Sequence, residues 1–179
     1  MSARRWGTGV GAVVVLVATG AWVLRPVPVD ARLWAEVRPV IEARLVAESR
    51  GSGLGESTPA LRARWFCRAE ALDLDERAGG VRAGVDTFCM EYGVRDGALV
   101  ECSGAHVPQV VRLRRDTDGG YRVVSREEAP DGAGNAEWQE THFSFFAESR
   151  LGDPESPESL ETAARAHFRV PAGTPVEDC

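Results

Sequence analysis

The chain has 179 residues, 44% of them hydrophobic and 27% charged, enough for one folded domain with a core and short for two. Its 21 basic and 27 acidic residues leave a net charge of −6, a poor field for a nucleic-acid binder, whose affinity rests on neutralising phosphates. The same composition excludes a low-complexity or disordered chain.

Trp6 to Leu24 is an unbroken uncharged run, and at about 1.5 Å rise per residue a helix of that length nearly matches a hydrocarbon core of about 30 Å. Arg4 and Arg5 precede the run, and Trp6 and Trp22 stand near its ends, which predicts a single-pass anchor with a cytoplasmic N-terminus. The small residues Ala18-Thr19-Gly20 and Thr19-Gly20-Ala21 leave open a cleaved signal peptide and a secreted product. Both readings export the rest. The division expected is 1–25 anchor or signal, 26–29 spacer with Pro26 and Pro28, and 30–179 an extracytoplasmic α+β domain.

Asp30 is a suitable N-cap for a helix through Leu33, Val37, Ile41 and Leu45, an apolar stripe at helical spacing, with Pro39 expected to kink it or mark its first turns. Gly51 to Gly55 reads as a flexible linker loop; it lacks the P-loop lysine and a preceding strand, so it gives nucleotide binding no support. The period then changes to that of an antiparallel meander, with strands around 65–74, 81–92, 98–102, 109–115 and 121–128. One helix over about 136–150 and a second begun by Ser156-Pro157-Glu158 should follow. The fold class is therefore α+β, with a helix packed on a curved antiparallel sheet of about five strands and helices at the C-terminus.

Four cysteines in an exported domain predict two disulfides, with three connectivities open. If Asp75 pairs with Val81, Cys67 falls opposite Cys89, and Ala69, Ala71, Ala83 and Val85 share their face; Cys102 to Cys179 is then the second bridge. The competing bridge, Cys89 to Cys102, needs a hairpin centred on Arg95-Asp96, whereas a bulged turn with Gly97 left-handed places Cys102 opposite Met90. Reduced buried thiols are the remaining alternative.

Around the turn Asp116 to Gly120, alternation puts Val111, Leu113, Tyr121 and Val123 on a core face and Arg112, Arg114, Arg122 and Arg126 on the opposite one. Those four arginines are the candidate binding surface for an anionic envelope ligand, a lipid surface or a protein. The plainer reading is a solvated face on which they meet Glu91, Glu101 or Glu127. Asp116-x-Asp118 and Asp73-x-Asp75 resemble pieces of a calcium loop but lack its closing glutamate, and turn chemistry accounts for them. His106, His142 and His167 are far apart in sequence and no zinc spacing occurs, so neither a metal nor another cofactor is expected. His142 with Glu137 or Glu140 is poorly aligned for acid and base work.

Phe88 to Tyr92, Gly104 to Pro108, Val111-Arg112-Leu113, Gly120-Tyr121 and Pro130-Asp131-Gly132 are similar to segments of small extracytoplasmic domains of Gram-positive membrane proteins, some trailing antirepressor-type metallopeptidase sensors. The similarity runs from about Ala63 to Phe146, and the element order resembles cystatin-like and nuclear-transport-factor-like rolls. Two departures stand out: Ala133-Gly134 occupy positions where those domains have aromatic residues, and the cysteines lie outside the shared pattern. The resemblance implies a fold and a location without a reaction. The expectation is a non-enzymatic accessory or sensor-like binding domain. Its rivals are a pocket enzyme, with Asp86, Glu70 or His142 as general base, and an inhibitor or immunity protein acting on a secreted enzyme.

Overall fold

A computed structural model describes residues 29–77, 79–148, 150–152 and 155–179. The apolar run from Trp6 to Leu24 lies outside the described residues, and among these no helix is long and apolar enough to cross a membrane.

Helix α1 (Ala31–Ser49) starts where its cap dictates: the Asp30 carboxylate accepts from the amides of Arg32 and Leu33 at 2.9 and 3.0 Å. The helix runs through Pro39, which faces solvent, and it buries Leu33, Val37, Ile41 and Leu45. Strands β1 (Arg64–Arg77), β2 (Gly80–Arg95), β3 (Ala98–Arg115) and β4 (Tyr121–Glu128) follow as an antiparallel meander. Two short helices, α2 (Asn135–His142) and α3 (Phe145–Glu148), precede the longer α4 (Glu155–Phe168). A final strand, β5 (Val176–Asp178), pairs parallel with β3 at Leu99 to Glu101.

The sheet is therefore mixed, and its fifth strand is not the one expected. The two segments around 98–102 and 109–115 form one strand across Gly104 and Pro108. Pro108 is tolerated because its carbonyl accepts from Ala129 on the outer side, so its missing N–H faces that same side and removes no bond to β2. The single helix expected over 136–150 is broken at Phe143, whose backbone is extended and whose ring is buried under the sheet; Ser144 Oγ then accepts from the amide of Ala147 to begin the next turn.

Both faces of the sheet are covered. On one, the α1 stripe packs against Ala69, Val81, Ala83, Val85, Cys89, Val111 and Leu113, with Tyr121 and Val123 at the margin. On the other, Leu160 and Ala164 of α4 meet Tyr92 and Leu99, and Phe143, between α2 and α3, and Ala147 of α3 meet Leu72 and Val110. This explains the nearly continuous burial of β2, from Val81 to Gly93, where a one-sided sheet would alternate. The free edge of β1 is closed by side chains: the amide of Ala69 donates to Glu42 at 3.2 Å, and Arg150 donates to the carbonyl of Ala71 at 2.8 Å.

The disulfides are Cys67–Cys89 and Cys102–Cys179. Cys67 lies directly opposite Cys89, as the register argument requires, although a bulge at Leu72 shifts the tip by one residue, so that Asp75 faces Arg82. The second hairpin turns at Asp96-Gly97, both with positive φ, and not at Arg95-Asp96. Cys102 is then the extra residue of a bulge between Glu101 and Ser103, opposite neither Cys89 nor Met90, and is free to reach Cys179 beside β5.

Helix α1 runs antiparallel to β1. Glu42 meets Ala69, Glu48 meets Arg126, and Glu36 acts on Tyr121 beside the hairpin tips. The N-terminus of α1 thus shares one end of the molecule with the β1–β2 and β3–β4 tips, and its C-terminus shares the other with the Cys102–Cys179 bridge.

Candidate functional site

A cleft of about 770 Å³ opens at the hairpin-tip end, on the sheet face away from α1. Five arginines line it, Arg77, Arg82, Arg112, Arg114 and Arg115, against one carboxylate, Asp75. Strand pairing makes the cluster: Arg82 sits across from Arg112, and Arg114 across from Arg122, so alternate residues of three strands present guanidinium groups on one side.

The arginines differ in how they are held. Arg82 donates to Asp73 Oδ1 at 2.7 Å and to the carbonyl of His142 at 2.6 Å, while Arg77 is 2.6 Å from Asp75. Arg115 bonds the Tyr121 hydroxyl, lies 4.3 Å over that ring and is 3.8 Å from Glu76. Burial raises the Tyr121 hydroxyl above its ordinary range against the lowering pull of Arg115. Arg122, outside the cleft lining, is tied to Asp116 at 2.7 Å. Arg112 and Arg114 are exposed, and their side chains have no hydrogen bond or ion pair among the described residues. The glutamates expected to neutralise this face are elsewhere: Glu91 is fully buried on the opposite side, Glu127 faces His142 at 3.2 Å, and Glu101 lies beside the buried Tyr92 hydroxyl, which burial and that carboxylate push above its ordinary range.

One of the four expected arginines is misplaced. Val124 is an extra residue in β4 between the pairs Leu113–Val123 and Arg112–Ser125, so every residue after it changes face. Arg126 therefore points toward α1, 3.0 Å from Glu48 and 2.9 Å from Glu128. Val124 itself is left 41% exposed on the lip of the cleft.

The residues weighed for acid and base chemistry are scattered. Asp86, 1% exposed, accepts from His106 Nε2 at 2.6 Å through Oδ1, and its Oδ2 accepts from the amide of Gly152 at 2.8 Å. His106 stacks on Phe88 with centroids 3.8 Å apart. Glu70 lies opposite Asp86 but turns to Arg68 at 3.1 Å. His142 meets neither Glu137 nor Glu140; it stacks on Trp138 and reaches Glu127. Among the described residues no three of His, Cys, Asp and Glu gather at metal-ligand distance. Asp73 and Asp116 serve as turn and ion-pair acceptors, Asp73 also accepting from the amide of Gly84 at 3.1 Å.

Two arrangements escaped sequence reasoning. The Gly51–Gly55 loop is a cradle: the Glu91 carboxylate accepts from the amides of Gly55 and Glu56 at 2.9 and 2.7 Å, and a Cβ at Gly53 would lie 2.3 Å from it. The alternate glycines were the available signal. The Asp86–His106 pair follows from β2–β3 register, which a bulge at Cys102 puts beyond reach of the sequence. No family model, curated protein or solved structure matches the chain.

Proposed function

We propose that the chain is a membrane-anchored, extracytoplasmic and non-enzymatic accessory or sensor-like domain that binds an anionic group in the arginine cleft, with Trp6 to Leu24 as its span and the fold a cystatin-like or nuclear-transport-factor-like roll. The observation that carries this reading is the pair Arg112 and Arg114. In a chain of net charge −6, where other arginines of this end have carboxylate partners, two adjacent guanidinium groups on one face are left for a ligand. Guanidinium forks suit phosphate and carboxylate oxygens, and burial of the ligand against Val124 and the strand backbone would strengthen those contacts. Two disulfides fit an oxidising compartment.

The pocket-enzyme reading rests on Asp86 and His106. Both oxygens of Asp86 are occupied, and no hydroxyl among the described residues is bonded to His106, so the pair has an orienting carboxylate and no nucleophile. Calorimetric titration of the full-length protein in detergent with glycerol phosphate tests the binding reading. Arg112→Ser with Arg114→Ser should abolish the heat and Arg62→Ser should leave it; equal binding by all three proteins, or none by the wild type, would overturn it.

A further inference from the structure

We infer that the arginine cleft seats against the anionic phospholipid headgroups of the same membrane that holds Trp6 to Leu24, an inference that rests on the proposed reading of that segment as a span.

The placement follows from chain geometry. The uncharged run ends at Leu24 and α1 is capped at Asp30, so the connecting residues reach at most about 21 Å. Whatever surrounds the N-terminus of α1 is held within that distance of the bilayer. From the level where Glu42 meets Ala69, α1 climbs about 17 Å back to Ala31, whereas β1 climbs roughly 25 Å to Arg77. The hairpin tips therefore extend to the start of the helix or past it. They and the cleft beneath them are the part of the domain nearest the lipid.

Chemistry at that end suits phosphate esters. Among the described residues the side chains of Arg112 and Arg114 have no hydrogen bond or ion pair, and Arg77 is held by the exposed carboxylate of Asp75, which a phosphate could replace. Arg115 is steadied by the Tyr121 hydroxyl and ring and the Gly119 carbonyl beside the exposed Glu76, and the exposed Val124 adds an apolar contact at the rim. Arginines near an anionic leaflet are attracted over about one Debye length, about 8 Å at physiological salt, and a tether of at most about 21 Å lets the tips sample that layer repeatedly. A second groove, also of about 770 Å³, is lined by Arg62, Arg64, Arg169 and His167 with Glu56 at the opposite end, farther from the tether by the length of α1, about 28 Å. It is a built-in control.

The test uses the full-length chain in nanodiscs of phosphatidylcholine alone or mixed with phosphatidylglycerol. Arginine side chains are modified with phenylglyoxal and mapped by mass spectrometry. Arg112 and Arg114 should react about fivefold or more slowly in the anionic discs, Arg62 and Arg169 equally in both, and the difference should vanish at high salt. Flotation is measured alongside. A chain that floats with the discs but shows equal reactivity at Arg112 and Arg114 overturns this inference and leaves the span standing. Protection by soluble glycerol phosphate but not by phosphatidylglycerol does the same while keeping the anion site. A chain that does not float removes the span and the inference together.

Discussion

The two ends of the molecule are built by opposite means. At the α1 C-terminal end the Cys102–Cys179 bridge ties β5 to the sheet, and the fully buried Glu91 holds the glycine cradle by two backbone amides. At the hairpin-tip end the contacts are exposed ion pairs such as Arg77 to Asp75 and Arg122 to Asp116, which solvent and salt screen to little net stabilisation. Covalent and buried polar contacts fix one end; weak, exchangeable ones leave the other able to trade internal partners for a ligand. A stability map of the domain should be correspondingly lopsided.

The largest effects should fall at the fixed end. Replacing Cys102 and Cys179 by alanine opens a loop spanning 77 residues and, by chain entropy, should lower stability by about 4 kcal/mol. Glu91→Ala should cost about 3 to 5 kcal/mol, because it strands the amides of Gly55 and Glu56 that now donate to a carboxylate. Urea denaturation measures both. Losses below about 1 kcal/mol would mean that this end is not the anchor of the fold.

Leu113 tests the face assignment nearer the tips. It is 2% exposed and packs in the α1 cluster, so Leu113→Ala should cost about 3 kcal/mol. A loss of the same size from its neighbour Arg112 would reverse the assigned faces.

These particulars show where sequence reading works and where it stops. The α1 stripe, the Asp30 cap, the Cys67 to Cys89 register and the alternation of Val111 and Leu113 depend on local periodicity, and each lies where periodicity puts it. The errors trace to single extra residues. Leu72, Cys102 and Val124 each shift a register by one, and the last of these moves Arg126 from the cleft to α1. A bulge has no periodic signal. Strand β5 was hidden because three residues are too few to show alternation, and its pairing depends on the distant partner β3.

Glu42 marks the boundary between the two ends and gives a smaller, pH-dependent effect. Burial pushes its carboxyl above the ordinary range, more than the Ala69 amide and Arg38 pull it down. A raised folded value favours the protonated form, so the group's contribution to stability is fully present below the unfolded value of 4.5 and is lost as pH rises through the folded one. Glu42→Gln keeps an acceptor for the amide of Ala69 and removes the buried charge. It should match or exceed wild-type stability at pH 7 and flatten the decline above pH 4.5 in denaturation curves collected across pH. A variant markedly weaker than wild type at pH 7 would show that the charge, and not the hydrogen bond to β1, holds this edge.

The smallest expected change in stability is at the residues assigned the largest role in binding. Arg112 and Arg114 are exposed, their side chains have no hydrogen bond or ion pair among the described residues, and other arginines surround them, so converting both to glutamate breaks no such bond and relieves like-charge repulsion with Arg77, Arg82 and Arg115. Stability should move by about 0.5 kcal/mol or less. Binding of glycerol phosphate should disappear all the same, because a carboxylate in place of each guanidinium repels the anion. Separate measurement of the two properties is what gives the comparison its force: a residue that served the fold would lose both together, whereas a cleft kept for a ligand loses one. A fall of more than about 2 kcal/mol on the double reversal would place these arginines in the architecture and return the tip end to a purely structural reading.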